Sequence, residues 1–185
     1  ENGWWMPPEY FFTGDAYDRA ASLQAAAEAS TDRLRAEKYR AQADHFMALV
    51  TYEALEDVQV TPRDSFIPVS VLQRFVNEVL SNEDTYTVER SNHLTYVLGP
   101  KTETIEQFRE YLNHATQAGS VDPEGKTKEQ VATERTVLVD RARAIEARFE
   151  DQFRVWLYAS QWRDDVERAY NQTFNAFVEP KFPEL

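Results

Sequence analysis

From Asp15 to Phe174 the apolar side chains recur at three- and four-residue steps, a period that only an α-helix turns into a continuous face. The chain has five glycines in 185 residues, so it has few places to make the tight turns of a many-stranded sheet protein. Ala, Glu, Arg, Leu and Gln fill the long stretches, which reinforces helix. The expected fold is mainly α: a multi-helix bundle with one small β-hairpin and a long C-terminal helical arm.

Several boundaries are legible. Residues 1–14 carry Trp4, Trp5, Tyr10, Phe11 and Phe12 with Pro7 and Pro8, and read as an aromatic extended arm docked on the chain's own helices. Residues 15–115 read as a helical core. Asp15 caps a helix to about Ala29, with Ala20, Ala21, Leu23 and Ala27 inward. A second helix is expected from about Asp32 to Leu55, burying Leu34, Tyr39, Ala43, Phe46, Met47 and Val50. Pro62 and Pro68 punctuate a connector, and Pro68 opens a helix to about Leu80. Tyr86–Arg90 and Leu94–Leu98 flank Ser91-Asn92-His93, a hairpin near 85–98 that must lean on helices. A helix from Thr102 or Glu103 turns Ile105, Phe108, Tyr111 and Leu112 inward.

The remainder follows the same logic. Residues 116–126 are a loop by composition. Thr127 with Gln130 forms a capping box that opens a long helix to about Tyr158. Its apolar stripe is Val131, Leu138, Ile145, Phe149, Phe153 and Trp156. Ser160 caps a last helix in which Trp162, Val166, Tyr170 and Phe174 share a face. Residues 127–185 thus read as a long helix plus a terminal helix, closed by Pro180 and Pro183.

Charge and composition then exclude function classes. The net charge of −12 repels phosphate and argues against generic nucleic-acid or anionic-membrane binding by the isolated chain. No cysteine is present, which removes disulfides, thiolate metal sites and a thiol nucleophile and fits a cytoplasmic setting. No apolar run reaches the ~20 residues that cross a bilayer. The scattered glycines form no phosphate-cradling loop. His45, His93 and His114 are far apart in sequence, and none stands three residues from a Glu in the manner of di-iron bundles, so no metal site is expected. Adjacent acids such as Glu150-Asp151 and Asp164-Asp165 point in different directions on a helix and form no dyad. Between Lys126 and Arg168 nine basic residues face nine acidic ones. Arg141, Arg148 and Arg154 are the candidates for nucleic-acid contact there, with an intrahelical ion-pair network as the plainer reading.

Four segments carry a family resemblance. Glu9–Asp15 resembles an E-Y-L-T-G-N-V entry to a helix. Tyr52–Gln59 resembles an A-L-E-x-V-Q-P connector. Phe66–Val76 resembles a W-I-P helix start that leads to a Phe. Phe153-Arg154-Val155-Trp156, then Arg163, then Tyr170-Asn171-Gln172-Thr173-Phe174-Asn175 resembles F-x-x-W … R … Y-N-x-x-F-N. In that order they resemble the helical region upstream of the motor in large phage- and plasmid-borne DNA helicases. Those are Swi/Snf-like superfamily 2 proteins, often fused to an adenine-specific DNA methyltransferase and linked to phage defence or anti-restriction. Two departures stand out: Asp15-Ala16 replaces the usual Asn-Val, and Lys181–Leu185 lacks the usual Asp-Gly-Ser.

The resemblance implies a non-catalytic linker or accessory module within a helicase polypeptide. Its partners would be the adjacent motor domain in the same chain and, through the parent, DNA, with no membrane. It holds no cofactor of its own; ATP and Mg belong to the parent motor. Phe153, Trp156, Arg163, Tyr170, Asn171, Phe174 and Asn175 are then the candidates for motor coupling. Trp156, Phe153, Tyr170 and Phe174 are expected to bring two helices into aromatic contact. The alternative is a stand-alone acidic helical adaptor or inhibitor that acts by protein–protein interaction.

Overall fold

A computed structural model describes residues 12–114, 121 and 124–179. The elements run β1 (Gly14–Asp15), α1 (Ala16–Ala29), α2 (Arg33–Leu49), a 3-10 turn (Leu55–Asp57) and α3 (Val69–Phe75), which passes into a π turn (Val76–Leu80). Then come β2 (Thr87–Ser91), β3 (Leu94–Leu98), α4 (Glu103–Leu112), α5 (Lys128–Ala159), α6 (Arg163–Phe174) and β4 (Phe177–Val178). The fold is mainly helical with a small hairpin and a long C-terminal helix. It divides into two compact units. The described residues up to Asp57 together with those from Glu167 onward form the first, and the described residues of 58–166 form the second. That division differs from the expected core over 15–115 with an appended arm, because the last helix supplies the first unit with its polar anchors.

In the first unit, α1 and α2 form a helical hairpin. Asp15 and Asp32 cap them, accepting from the Asp18 amide and from the Leu34 and Arg35 amides. Ala16, Ala20, Ala43 and Phe46 form a close-packed seam in which small side chains allow near approach of the backbones. Phe12 packs on this seam, with ring centroids 4.3 Å from His45 and 5.1 Å from Phe46, so the one described aromatic of the arm docks on the chain's own helices. Residues 1–11, which hold the arm's other aromatics, lie outside the described residues. A second two-stranded pairing was not foreseen: β1 runs antiparallel to β4, with Gly14 opposite Val178 and Asp15 opposite Phe177.

Three expectations fail here. The second helix ends at Leu49 and does not reach Leu55, because the amides of Glu53 and Leu55 are taken by side chains of α6. Leu34, at 65% exposure, and Met47 face outward, while Ala36 holds the inner position. Ala21 is likewise exposed, and Ala16, Ala20 and Ala27 make the buried edge of α1.

The second unit is built on aromatic contacts. Phe75 of α3 meets Phe108 at 5.7 Å and Phe153 at 5.1 Å, and Phe108 meets Phe149 at 5.0 Å. Ile105, Phe108, Tyr111 and Leu112 are all buried, as their spacing requires. The Thr127–Gln130 capping box is present in full. Along α5, only Phe149, Phe153 and Leu157 are buried, whereas Val131, Leu138 and Ile145 are half-buried. The stripe continues as a sequence pattern beyond the residues that pack on it. Of the expected loop 116–126, residues 116–120, 122 and 123 lie outside the described residues, as do Pro180 and Pro183.

The hairpin has the register its two-residue turn dictates: Ser91 pairs with Leu94 and Thr87 with Leu98. Asn92 and His93 both take positive φ, 50° and 67°, which matches the right-handed strand twist. Its outer hydrogen-bonding edges are closed by side chains. On the β3 edge, Asn113 accepts from the Thr95 amide at 2.8 Å and donates to the Thr95 carbonyl at 2.8 Å, and the Arg109 guanidinium donates to the Val97 carbonyl. On the β2 edge, Gln73 accepts from the Val88 amide at 3.1 Å.

The π turn has a structural cause. Asn77 donates to the Gln73 carbonyl at 2.9 Å, and it both donates to the Tyr86 carbonyl and accepts from the Tyr86 amide, at 2.9 and 2.7 Å. One widened turn therefore lets a single amide serve helix and strand together. Gly99 then passes over the Tyr86 ring, where an added Cβ would stand 2.5 Å from Tyr86 Cδ1 at a φ of +152°. Tyr86 Oη is the one fully buried side-chain polar atom among the described residues that has no hydrogen-bond partner.

Two substitutions test this corner. Gly99→Ala should cost roughly 2–4 kcal/mol, since neither the ring nor the backbone can give way cheaply. Tyr86→Phe keeps the packing and removes an unsatisfied hydroxyl, so its cost should be about zero. Urea denaturation of the full chain separates the two, and equal losses would refute the assignment.

Candidate functional site

The residues singled out in the C-terminal motif fall into two groups, one in each unit. In the second unit Phe153 is fully buried against Phe75, and Trp156 lies 5.5 Å from Phe75 and 5.9 Å from Phe153. Trp156 is only half-buried. Its Nε1 donates to the Glu78 carboxylate at 2.9 Å, and its outer edge joins Val79, Asp151, Gln152 and Val155 in an open apolar groove of about 420 Å³. Arg163 places its guanidinium 5.5 Å from the Tyr158 ring centre, and Arg74 does the same over Trp162.

The second group is a polar lock inside the first unit. Asn171 is completely buried. Its Oδ1 accepts from the Glu53 amide at 2.8 Å and from Asn175 Nδ2 at 2.8 Å. Its Nδ2 donates to the Glu53 carbonyl and to the Glu167 carbonyl, both at 2.9 Å. Two acceptor sites and two donor hydrogens are thereby all used, which is the full capacity of an amide. One turn earlier, the Glu167 carboxylate accepts from the Leu55 amide at 2.8 Å and from the Tyr52 hydroxyl. Tyr170 donates its hydroxyl to the Glu53 carboxylate at 3.0 Å, and this bond raises the phenol above its ordinary value. The adjacent backbone also joins, with the Ala16 amide donating to the Ala176 carbonyl at 2.7 Å.

Asn171 and Asn175, named above as candidates for motor coupling, are four residues apart and share one face at the end of α6; there Asn171 holds the backbone of a loop of this chain, at Glu53. Glu53 and Glu167 were missed, since nothing local marks Glu167 as the acceptor for the Leu55 amide or Glu53 as the residue whose backbone Asn171 holds. Phe174 does not join a buried face; it is 58% exposed and contacts Tyr170 at 4.9 Å. The steps from Trp162 to Phe174 total twelve residues, which at ~100° per residue leave Phe174 about 120° off the starting face. The aromatic quartet is likewise divided. Phe153 and Trp156 belong to the second unit, and Tyr170 and Phe174 to the first.

The three arginines singled out on α5, Arg141, Arg148 and Arg154, are all exposed. Arg154 pairs with Asp151 three residues away, and Arg148 donates to Gln107 at 2.9 Å and lies over the Phe149 ring. Arg141 is exposed on the same helix. Among the described residues, no group of three His, Asp or Glu side chains is placed to hold a metal ion, and no helix is long and apolar enough to cross a membrane. Comparison with models of protein families, with curated proteins and with solved structures finds no match to this chain.

The lock and the aromatic contacts give separate expectations. Asn171→Asp removes both donors and places a charge where none can be hydrated, so it should cost roughly 3–5 kcal/mol by chemical denaturation. Wild-type stability would refute the bonding described. In the other unit, Phe153→Ala should cost about 3–5 kcal/mol. Trp156→Ala should cost less than Phe153→Ala in the same assay, because part of its surface already meets water; the reverse order would show that the tryptophan is the buried partner.

Proposed function

We propose that the chain is a non-catalytic helical linker or accessory module of a DNA helicase polypeptide, one that positions the motor and offers Arg141, Arg148 and Arg154 toward DNA. The observation that carries this reading is that each of the first three resembling segments packs, within one unit, on part of the fourth or on the strand just after it. Phe75, from the third segment, packs on Phe153 and Trp156 at the start of the fourth. Glu53 and Leu55, from the second, are held by Asn171 and Glu167. Gly14 and Asp15, from the first, pair with the strand that begins two residues after Asn175.

Short matches scattered by chance have no reason to pack on one another. Segments that jointly specify one framework must do so, and this mutual consistency supports treating the four as one inherited unit. The acidic surface and the saturated polar groups suit a structural role. A module of this kind needs stiffness, and a fully bonded buried amide supplies it.

The test uses the natural polypeptide that carries residues 1–185. It should hydrolyse ATP in response to DNA, and Asn175→Ala, which removes one bond at the rim of the lock, should reduce that stimulation about threefold or more. Failure of the polypeptide to hydrolyse ATP with DNA present would overturn the reading. Equal stimulation of variant and wild type would remove Asn175 from the coupling.

A further inference from the structure

The hairpin carries large apolar residues on the face that its helices leave open. Val88, Thr95 and Val97 are buried on one side. On the other, Leu94, Tyr96 and Leu98 form a row at 43, 44 and 46% exposure, beside Ser91, Glu89 and Thr87 of the paired strand. A sheet that is apolar on both faces is ordinarily covered on both. Strand addition is disfavoured, because backbone groups on both outer edges are engaged by Gln73, Arg109 and Asn113. A partner must therefore lie across the face.

We propose that this face docks an amphipathic helix of a partner protein, with apolar side chains at i, i+4 and i+8 and lysine or arginine on its flank. The spacing fits. Alternate residues of a strand lie ~6.7 Å apart, and helix residues four apart rise ~6 Å, so a single ridge can follow Leu94, Tyr96 and Leu98. The charge fits as well. Glu89 stands opposite Tyr96 in the middle of the row, Glu83 and Asp84 precede β2, and Lys101 alone follows β3, on a chain of net charge −12. A basic flank would be drawn to this side and ordered by Glu89. The proposal stands apart from the helicase reading, since none of the residues that line this face belongs to the four resembling segments.

The experiment measures anisotropy of a labelled amphipathic peptide of about 18 residues, Leu at i, i+4 and i+8 and Lys on both flanks, titrated with the full chain. Saturable binding is expected, and Glu89→Lys and Tyr96→Ser should each weaken it about tenfold or more with an unchanged melting temperature. If Tyr96→Ser melts early, Leu94→Gln at the open end of the hairpin replaces it. The proposal is overturned by absence of binding, by equal binding of a peptide with Glu in place of Lys, or by equal binding of an alternating Val/Lys strand peptide. It is also overturned if sedimentation shows the wild-type chain to self-associate and Tyr96→Ser to abolish that association, because the face then belongs to a second copy.

Discussion

The buried amide of Asn171 meets four partners at once, and the first unit is organised around that demand. An amide in a helix interior loses hydration that its own backbone cannot replace. It is tolerable only if every donor and acceptor finds a partner; the Glu53 amide and carbonyl provide two, and the Glu167 carbonyl and the Asn175 side-chain amide the others. The consequence runs back along the chain. Because the Glu53 and Leu55 amides are drawn sideways to α6, the preceding helix stops at Leu49 and a single 3-10 turn follows. A polar group has therefore set a helix boundary that hydrophobic period alone would have placed several residues later.

The second unit solves a related problem with the same means. A lone hairpin is marginal in water. Here it is fastened by helical side chains that reach to its edges: Gln73 and Asn77 from α3 and its π turn, Arg109 from α4, and Asn113 just beyond it. Asn77 explains why the helix widens where it does. Arg63 adds a further tie, donating to the Tyr111 carbonyl at 2.7 Å and to Glu146, with its guanidinium 3.9 Å from the Tyr111 ring centre. In both units, apolar contacts supply the bulk of the burial while a few amides and guanidiniums decide where the elements stop and how they meet.

This separation explains what could be read in advance. Helix starts were legible at Asp15, Asp32, Thr102 and Thr127, because capping is local chemistry between residues two or three apart. The hairpin was legible from its alternation and its Asn-His turn. The exposure of Leu34, Met47 and Phe174 was not, because a period tells which residues share a face and not how far the neighbouring element extends along it. Nor were the β1–β4 pairing or the roles of Glu53 and Glu167, which join residues more than a hundred positions apart and leave no local trace. At the candidate site, Asn171 and Asn175 were visible as members of the C-terminal motif; their partners appear only in three dimensions.

The central claim is that Asn171 and Glu167 hold the backbone of residues 53–55, and native-state hydrogen exchange reads it directly. The Glu53 and Leu55 amides lie in a segment without a helix or strand ladder at Glu53, yet both should exchange slowly in the wild-type chain. In Asn171→Ser the Glu53 amide should lose protection by about tenfold or more relative to amides in the middle of α1. Rapid exchange of Glu53 and Leu55 in the wild type, at the rate of free loop amides, would contradict the account.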